Sequence, residues 1–181
     1  MSAPPGMTLD IPKYAKLEHE RRFLVRDPPD LTGAPGRLIE DVYLDGGRLR
    51  LRRITHFDGH PPEYKLCKKY GTGEPPSEPI TNLYLTAGEH AALAVLPGRP
   101  IRKRRYRVAH AGALFGLDVF EGELHGLVMC EAESDSAEAI RRRDFPPWTL
   151  REVTGEPFFT GGALAGLSAS DLAARLGREF A

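Results

Sequence analysis

Charged side chains return at every second position in one segment after another of this chain, and that alternation limits what it can fold into. Successive side chains of a β-strand point to opposite faces. In Leu17-Glu18-His19-Glu20-Arg21-Arg22-Phe23-Leu24-Val25, the residues Glu18, Glu20 and Arg22 share one face. Arg48, Arg50 and Arg52 share a face elsewhere, with Leu49 and Leu51 opposite. Lys103 and Arg105 repeat the pattern, as do Glu131 and Glu133, while Asp118 and Lys68 add single charges in two further segments. Any one of these is an ordinary solvated face on a half-buried sheet. Several strands that each bury one face and carry ionisable groups on the other can instead close into a barrel with a charged lumen. Eight strands leave an interior able to hold one small ligand.

The remaining punctuation fits a mainly β, α+β domain. Gly 19 and Pro 16 in 181 residues are a heavy turn load, which favours short strands and hairpins. Strands are expected over 17–25, 38–45, 48–53, 63–69, 80–85, 101–109, 114–121 and 126–133. Gly46-Gly47 is a hairpin turn. Thr86-Ala87-Gly88-Glu89 and Ser168-Ala169-Ser170-Asp171 have the spacing of helix-opening capping boxes, and a short helix is expected over 135–143. Residues 1–15 read as a flexible leader and 16–181 as one domain.

Composition excludes several functions. Lys+Arg 25 balances Asp+Glu 25, so the chain lacks the basic excess of a generic nucleic-acid or anionic-membrane binder. No apolar run approaches the length of a membrane span, and no signal peptide is legible, so a cytoplasmic protein is expected. Cys67 and Cys130 form no CxxC pair and no zinc set; they read as buried thiols. The six histidines have no HExxH spacing.

The chemistry follows from the two charge types. Carboxylates two apart on a strand are about 7 Å apart along the backbone and can converge on one divalent ion. All-oxygen ligands favour magnesium, manganese or calcium over zinc. Arginine and lysine around the same lumen can grip phosphate oxygens. A metal beside a basic ring equips a site for phosphoryl transfer. So many charges need a wet, open lumen, because like charges 4 Å apart repel by about 4 kcal/mol at an effective dielectric near 20.

In order along the chain, Glu18-His19-Glu20-Arg21-Arg22, Arg50-Leu51-Arg52, Lys68, Lys103-Arg104-Arg105-Tyr106, Asp118-Val119-Phe120, Glu131-Ala132-Glu133 and Glu152-Val153-Thr154-Gly155 resemble the CYTH superfamily, the triphosphate tunnel metalloenzymes. The series is most similar to the small bacterial inorganic triphosphatases. The resemblance implies an eight-stranded antiparallel closed β-barrel with helices packed outside. It implies Mg2+ or Mn2+ held by Glu18, Glu20, Asp118, Glu131 and Glu133. It places phosphate-binding bases at Arg22, Arg50, Arg52, Lys68, Lys103 and Arg105, with catalytic roles for Glu20, Arg22 and Glu133 and further candidates in Glu78 and Tyr43. The implied reaction is attack of water on the terminal phosphate of a linear triphosphate, foremost inorganic tripolyphosphate.

Three features depart from the family pattern. Arg22 stands where the family has lysine, and a guanidinium cannot act as a general base. Ile80 stands two after Glu78, where a second acid is expected. Gly161-Gly162 replaces more polar residues. The sequence leaves open nucleoside or thiamine triphosphate hydrolysis, adenylate cyclisation, triphosphate binding without turnover, and a barrel whose charges all face solvent. Monomer and homodimer also stay open.

Overall fold

A computed structural model describes residues 11–71 and 73–180, so most of the expected leader lies outside the described residues. Eight antiparallel strands form the wall: β1 (Lys16–Val25), β2 (Gly36–Leu44), β3 (Leu49–His56), β4 (Glu63–Lys69), β5 (Ser77–Leu85), β6 (Gly98–His110), β7 (Ala113–Phe120) and β8 (Val128–Ser134). Their order is β5-β4-β3-β2-β6-β7-β8-β1, and β1 pairs back onto β5 to close the barrel. Closure leaves no free edge around the wall.

One strand has two partners on one side. β1 pairs with β8 along one edge. Along the other, Lys16–His19 pair with β5, and Phe23–Val25 pair with a ninth, four-residue strand, β9 (Thr149–Glu152). That strand is not among the eight expected; four residues after Pro146-Pro147 carry too little pattern to read. Between the two partners, the Glu20 amide donates to the Pro76 carbonyl at 2.8 Å and the Arg22 amide to Thr154 Oγ1 at 2.9 Å. The strand that carries Glu18, Glu20 and Arg22 is therefore held on both edges along its length.

The helices divide between the wall and one end. α1 (Ala87–Leu93) opens on the Thr86/Glu89 capping box and sets His90 beside Tyr64, ring centres 4.9 Å apart. α2 (Ala137–Arg141) covers the outer face of β1, β7 and β8, where Val25, Phe115, Leu117, Cys130 and Ile140 bury together against Phe23, Phe145 and Trp148. Inward-facing Leu24, Ile101, Phe120 and Met129 meet Phe159, Leu164 of α3 (Gly161–Leu164), and Leu172 and Leu176 of α4 (Ala169–Glu179). The C-terminal segment thus plugs one end of the barrel instead of lying along its side. Each such side chain contributes about 1.5–3 kcal/mol when fully buried. Arg151 and Arg175 both pair with Glu179 and Glu156, tying α4 to β9. No helix among the described residues is long and apolar enough to cross a membrane.

Candidate active site

Above the apolar plug lies a cavity of about 710 Å3. Its walls carry eight bases (Arg22, Arg48, Arg50, Arg52, Lys69, Arg99, Lys103, Arg105) and six acids (Glu18, Glu20, Asp41, Glu78, Glu131, Glu133). The two signs are sorted by position. Register puts Glu18 opposite Glu78 and Glu20 opposite Glu133, so three neighbouring strands build one acidic wall. Arg50 and Arg52 stand on β3, separated from that wall by β4 along one path around the barrel and by β2, β6 and β7 along the other.

The acids converge. Glu18, Glu20 and Glu133 each offer a carboxylate oxygen within 4.8 Å of the other two. Glu133 is the exposed member of the trio, yet desolvation at the cavity wall and the negative charges of Glu20 and Glu18 push its carboxyl above its ordinary pKa. Lys69 Nζ sits 2.7 Å from Glu18 Oε2, off the hydrogen-bonding direction, so that buried oxygen has no aligned donor. Three crowded carboxylates with an undirected oxygen are a donor set that fits a hard divalent cation. Burial works against the Lys69 charge, but Glu20 and Glu18 outweigh it and hold the ammonium protonated.

The other two acids expected at a metal are elsewhere. Asp118 is wholly buried and accepts from Arg105 Nε and Nη2, both at 2.6 Å, and from Lys103 Nζ. Burial alone would raise its pKa, but the charges of Arg105 and Lys103 win and hold it well below the usual carboxylate range. Glu131 is likewise paired with Arg105. These acids neutralise lumen cations in a cross-braced partition and do not join the Glu18–Glu20–Glu133 trio. Glu78 accepts from the Gly71 amide and so fixes the loop between β4 and β5.

Two lumen residues escaped the sequence reading. Asp41, 2% exposed, takes both forks of Arg52 at 2.7 Å and has Arg50 Nε at 3.9 Å. Only the register singles it out, placing Asp41 opposite Arg52 across β2 and β3, because Glu40 alternates with apolar residues just as Asp41 does. Lys69 is the second, and it replaces Lys68, which the structure places outside the tunnel. Lys68 is exposed, its ammonium 5.0 Å from the centre of the Tyr70 ring. The physical reason is the apolar demand of α1: Tyr64 and Leu66 take the outer face of β4, which puts Lys68 with them and turns Lys65, Cys67 and Lys69 inward.

Arg50 is loosely paired, its Nε 3.9 Å from Asp41 Oδ1. Its Nε is buried with no hydrogen-bond partner. Burial opposes its charge, but nearby Asp41 outweighs that and keeps it protonated. A buried guanidinium N–H without an acceptor is costly, and an oxygen of an anion entering the cavity could satisfy it. Arg22 is more committed: Nη1 donates to the Phe159 carbonyl at 2.7 Å and Nε lies 3.0 Å from Glu20. Tyr43 reaches the plugged end, where a Cβ on Gly161 would fall 1.8 Å from its hydroxyl. The glycine there makes room for the tyrosine. Ile80 is buried in the wall and offers no ligand.

A closed antiparallel barrel with an acidic trio on one wall and arginines on another defines a charged-tunnel barrel. No protein-family model matches the chain. The inorganic triphosphatase of Nitrosomonas europaea is 34% identical over 155 residues, spanning 82% of this chain and 96% of that protein. The inorganic triphosphatase of Acetivibrio thermocellus is 29% identical over 153 residues, 81% of this chain and 92% of that one. A solved structure of the inorganic triphosphatase NE1496 superposes with a TM-score of 0.54 at 29% identity, covering 82% of this chain and 93% of that one. The chain belongs to the inorganic triphosphatase family, within the CYTH superfamily of triphosphate tunnel metalloenzymes.

Proposed function

We propose that the protein hydrolyses the terminal phosphoanhydride of a linear triphosphate, inorganic tripolyphosphate first, with Mg2+ or Mn2+. The observation that carries this reading is the juxtaposition of the Glu18–Glu20–Glu133 trio with the partnerless buried Nε of Arg50 in one cavity. The trio would hold the cation, which when bound supplies neutralisation of phosphate charge and activation of water. The named relatives, inorganic triphosphatases, support the substrate class.

The chain's own residues divide the work. Arg50, Lys69 and the spare donors of Arg52 and Lys103 bind and orient phosphate oxygens, where most of the catalytic advantage in phosphoryl transfer resides. The Asp118 and Asp41 pairs keep those cations in fixed positions, so they need not reorganise when charge develops. Arg22 cannot accept a proton; braced on the Phe159 carbonyl, it positions Glu20. Glu133 completes the trio that would hold the cation, and the proton given up by the attacking water would pass to solvent in the open lumen. Water adds to the terminal phosphorus, the bond to the bridging oxygen breaks, and pyrophosphate and orthophosphate leave.

The test is phosphate release from tripolyphosphate in Mg2+ or Mn2+, beside ATP and thiamine triphosphate. Glu20→Ala and Glu133→Ala should each lower turnover by more than about 100-fold, beyond the cost of losing an outer-shell partner, with an unchanged circular dichroism spectrum. Wild-type turnover in both variants removes the site. Thermal stabilisation by tripolyphosphate without phosphate release would instead make the protein a triphosphate-binding module.

A further inference from the structure

The barrel has a second chamber at the end away from the plug. It has a volume of about 450 Å3 and is lined by Arg37, His56, Glu63 and Arg107 among others, while Arg105 lines both chambers. The Arg105–Asp118–Lys103 brace therefore stands between them. The chamber's acids are committed: Glu63 pairs with His56 at 2.9 Å and Lys65 at 3.0 Å, and Asp58 with His60 at 2.7 Å. Its two outer arginines are not. Among the described residues, neither Arg37 nor Arg107 has a carboxylate within 4.0 Å or a side-chain hydrogen bond.

Their spacing suits one small anion. Arg37 is directly opposite Arg105 across β2 and β6, and Arg107 is the next residue on the same face. Diagonal neighbours of this kind are roughly 7–8 Å apart, their Cβ atoms somewhat closer, a separation that two long guanidinium side chains can close around a tetrahedral oxoanion. Partial burial, followed by the positive charges of Arg105, Arg107 and Arg52, lowers the Arg37 pKa. The chamber holds more like charge than its own carboxylates relieve.

We propose that this far chamber is a second anion site, separate from the acidic trio, that binds a single orthophosphate between Arg37 and Arg107. If the tripolyphosphatase reading holds, the site would hold a reaction product, and orthophosphate would inhibit without displacing the triphosphate; that consequence alone rests on that reading.

The test is orthophosphate titration by calorimetry in EDTA, which needs neither metal nor turnover. Wild type should bind two orthophosphates. R37A/R107A should lose one site, at least tenfold weaker, and keep the other. R50A should lose the opposite one. Arg37→Lys and Arg107→Lys, which keep charge but lose the fork, should weaken the same site with the melting temperature unchanged, and they stand in if the alanine pair fails to fold. R104A, an exposed base on the outer face, controls for general charge. Titration of R37A/R107A indistinguishable from wild type, or equal weakening by R104A, overturns the proposal. Tripolyphosphate hydrolysis is assayed separately, so loss of the catalytic reading leaves this result standing.

Discussion

Replacing Asp41 by asparagine tests whether the tunnel is an ion-pair lattice waiting for a polyanion. Asp41 is 2% exposed and takes two 2.7 Å hydrogen bonds from Arg52. Burial favours its protonated form, yet the Arg52 and Arg50 charges overcome that and keep it ionised. Asparagine has the same shape, so no cavity opens. It removes the charge and turns an amide donor towards guanidinium donors. A charge pair about 4 Å apart at an effective dielectric of 20 is worth about 4 kcal/mol, and breaking one side of a buried pair costs about 3–5 kcal/mol. For a chain of 181 residues that is a fall in melting temperature of roughly 6–20 °C. The assay is calorimetric melting in EDTA, with and without tripolyphosphate. Because Arg50 and Arg52 are released, the polyanion should bind the variant about tenfold more tightly, which narrows the gap from wild type by about 1.4 kcal/mol or roughly 3–6 °C. A variant melting within about 2 °C of wild type, less than about 1 kcal/mol, would refute the reasoning. So would a gap that widens when tripolyphosphate is added.

Two further outcomes are expected. Lys69→Ala should weaken tripolyphosphate binding by at least about tenfold, the loss of one charge-assisted contact, whereas Lys68→Ala should leave binding alone and stability within about 0.5 kcal/mol; binding isotherms of the two variants side by side decide which lysine faces the lumen. The hydrogen bond from Arg151, with that from Arg175, lowers the Glu179 pKa from 4.5 to about 2. A carboxyl depressed on folding stabilises above its unfolded pKa and loses that contribution as pH falls through the folded one. The gap in unfolding midpoint between wild type and Glu179→Gln should therefore be full at neutral pH and close between 4.5 and about 2; a gap independent of pH contradicts the pairing.

Much of the site was legible because strand alternation is a local property. Glu18, Glu20 and Arg22 share a face whatever lies beside them, and the same holds for Arg50 with Arg52 and for Glu131 with Glu133. The Lys68 assignment failed where two lysines are adjacent and a shift of one residue reverses the face. Only the packing of Tyr64 against α1 selects the phase. Asp41 looked unremarkable because its neighbour Glu40 is also acidic, and nothing local tells which of the two turns inward.

The order of charged, alternating strands, the turns and the two capping boxes were determined along the chain, by side-chain direction and backbone chemistry that act over a few residues. Which carboxylates gather together and which are taken up by Arg105 was decided only by closure of the barrel. Asp118, Glu131 and Glu133 are the same kind of residue in the same kind of strand. The first two meet Arg105, which is 13 and 26 residues away in sequence, while Glu133 meets two more acids from β1. Electrostatic partners are set by distance in space, and strand register around a closed sheet fixes that distance.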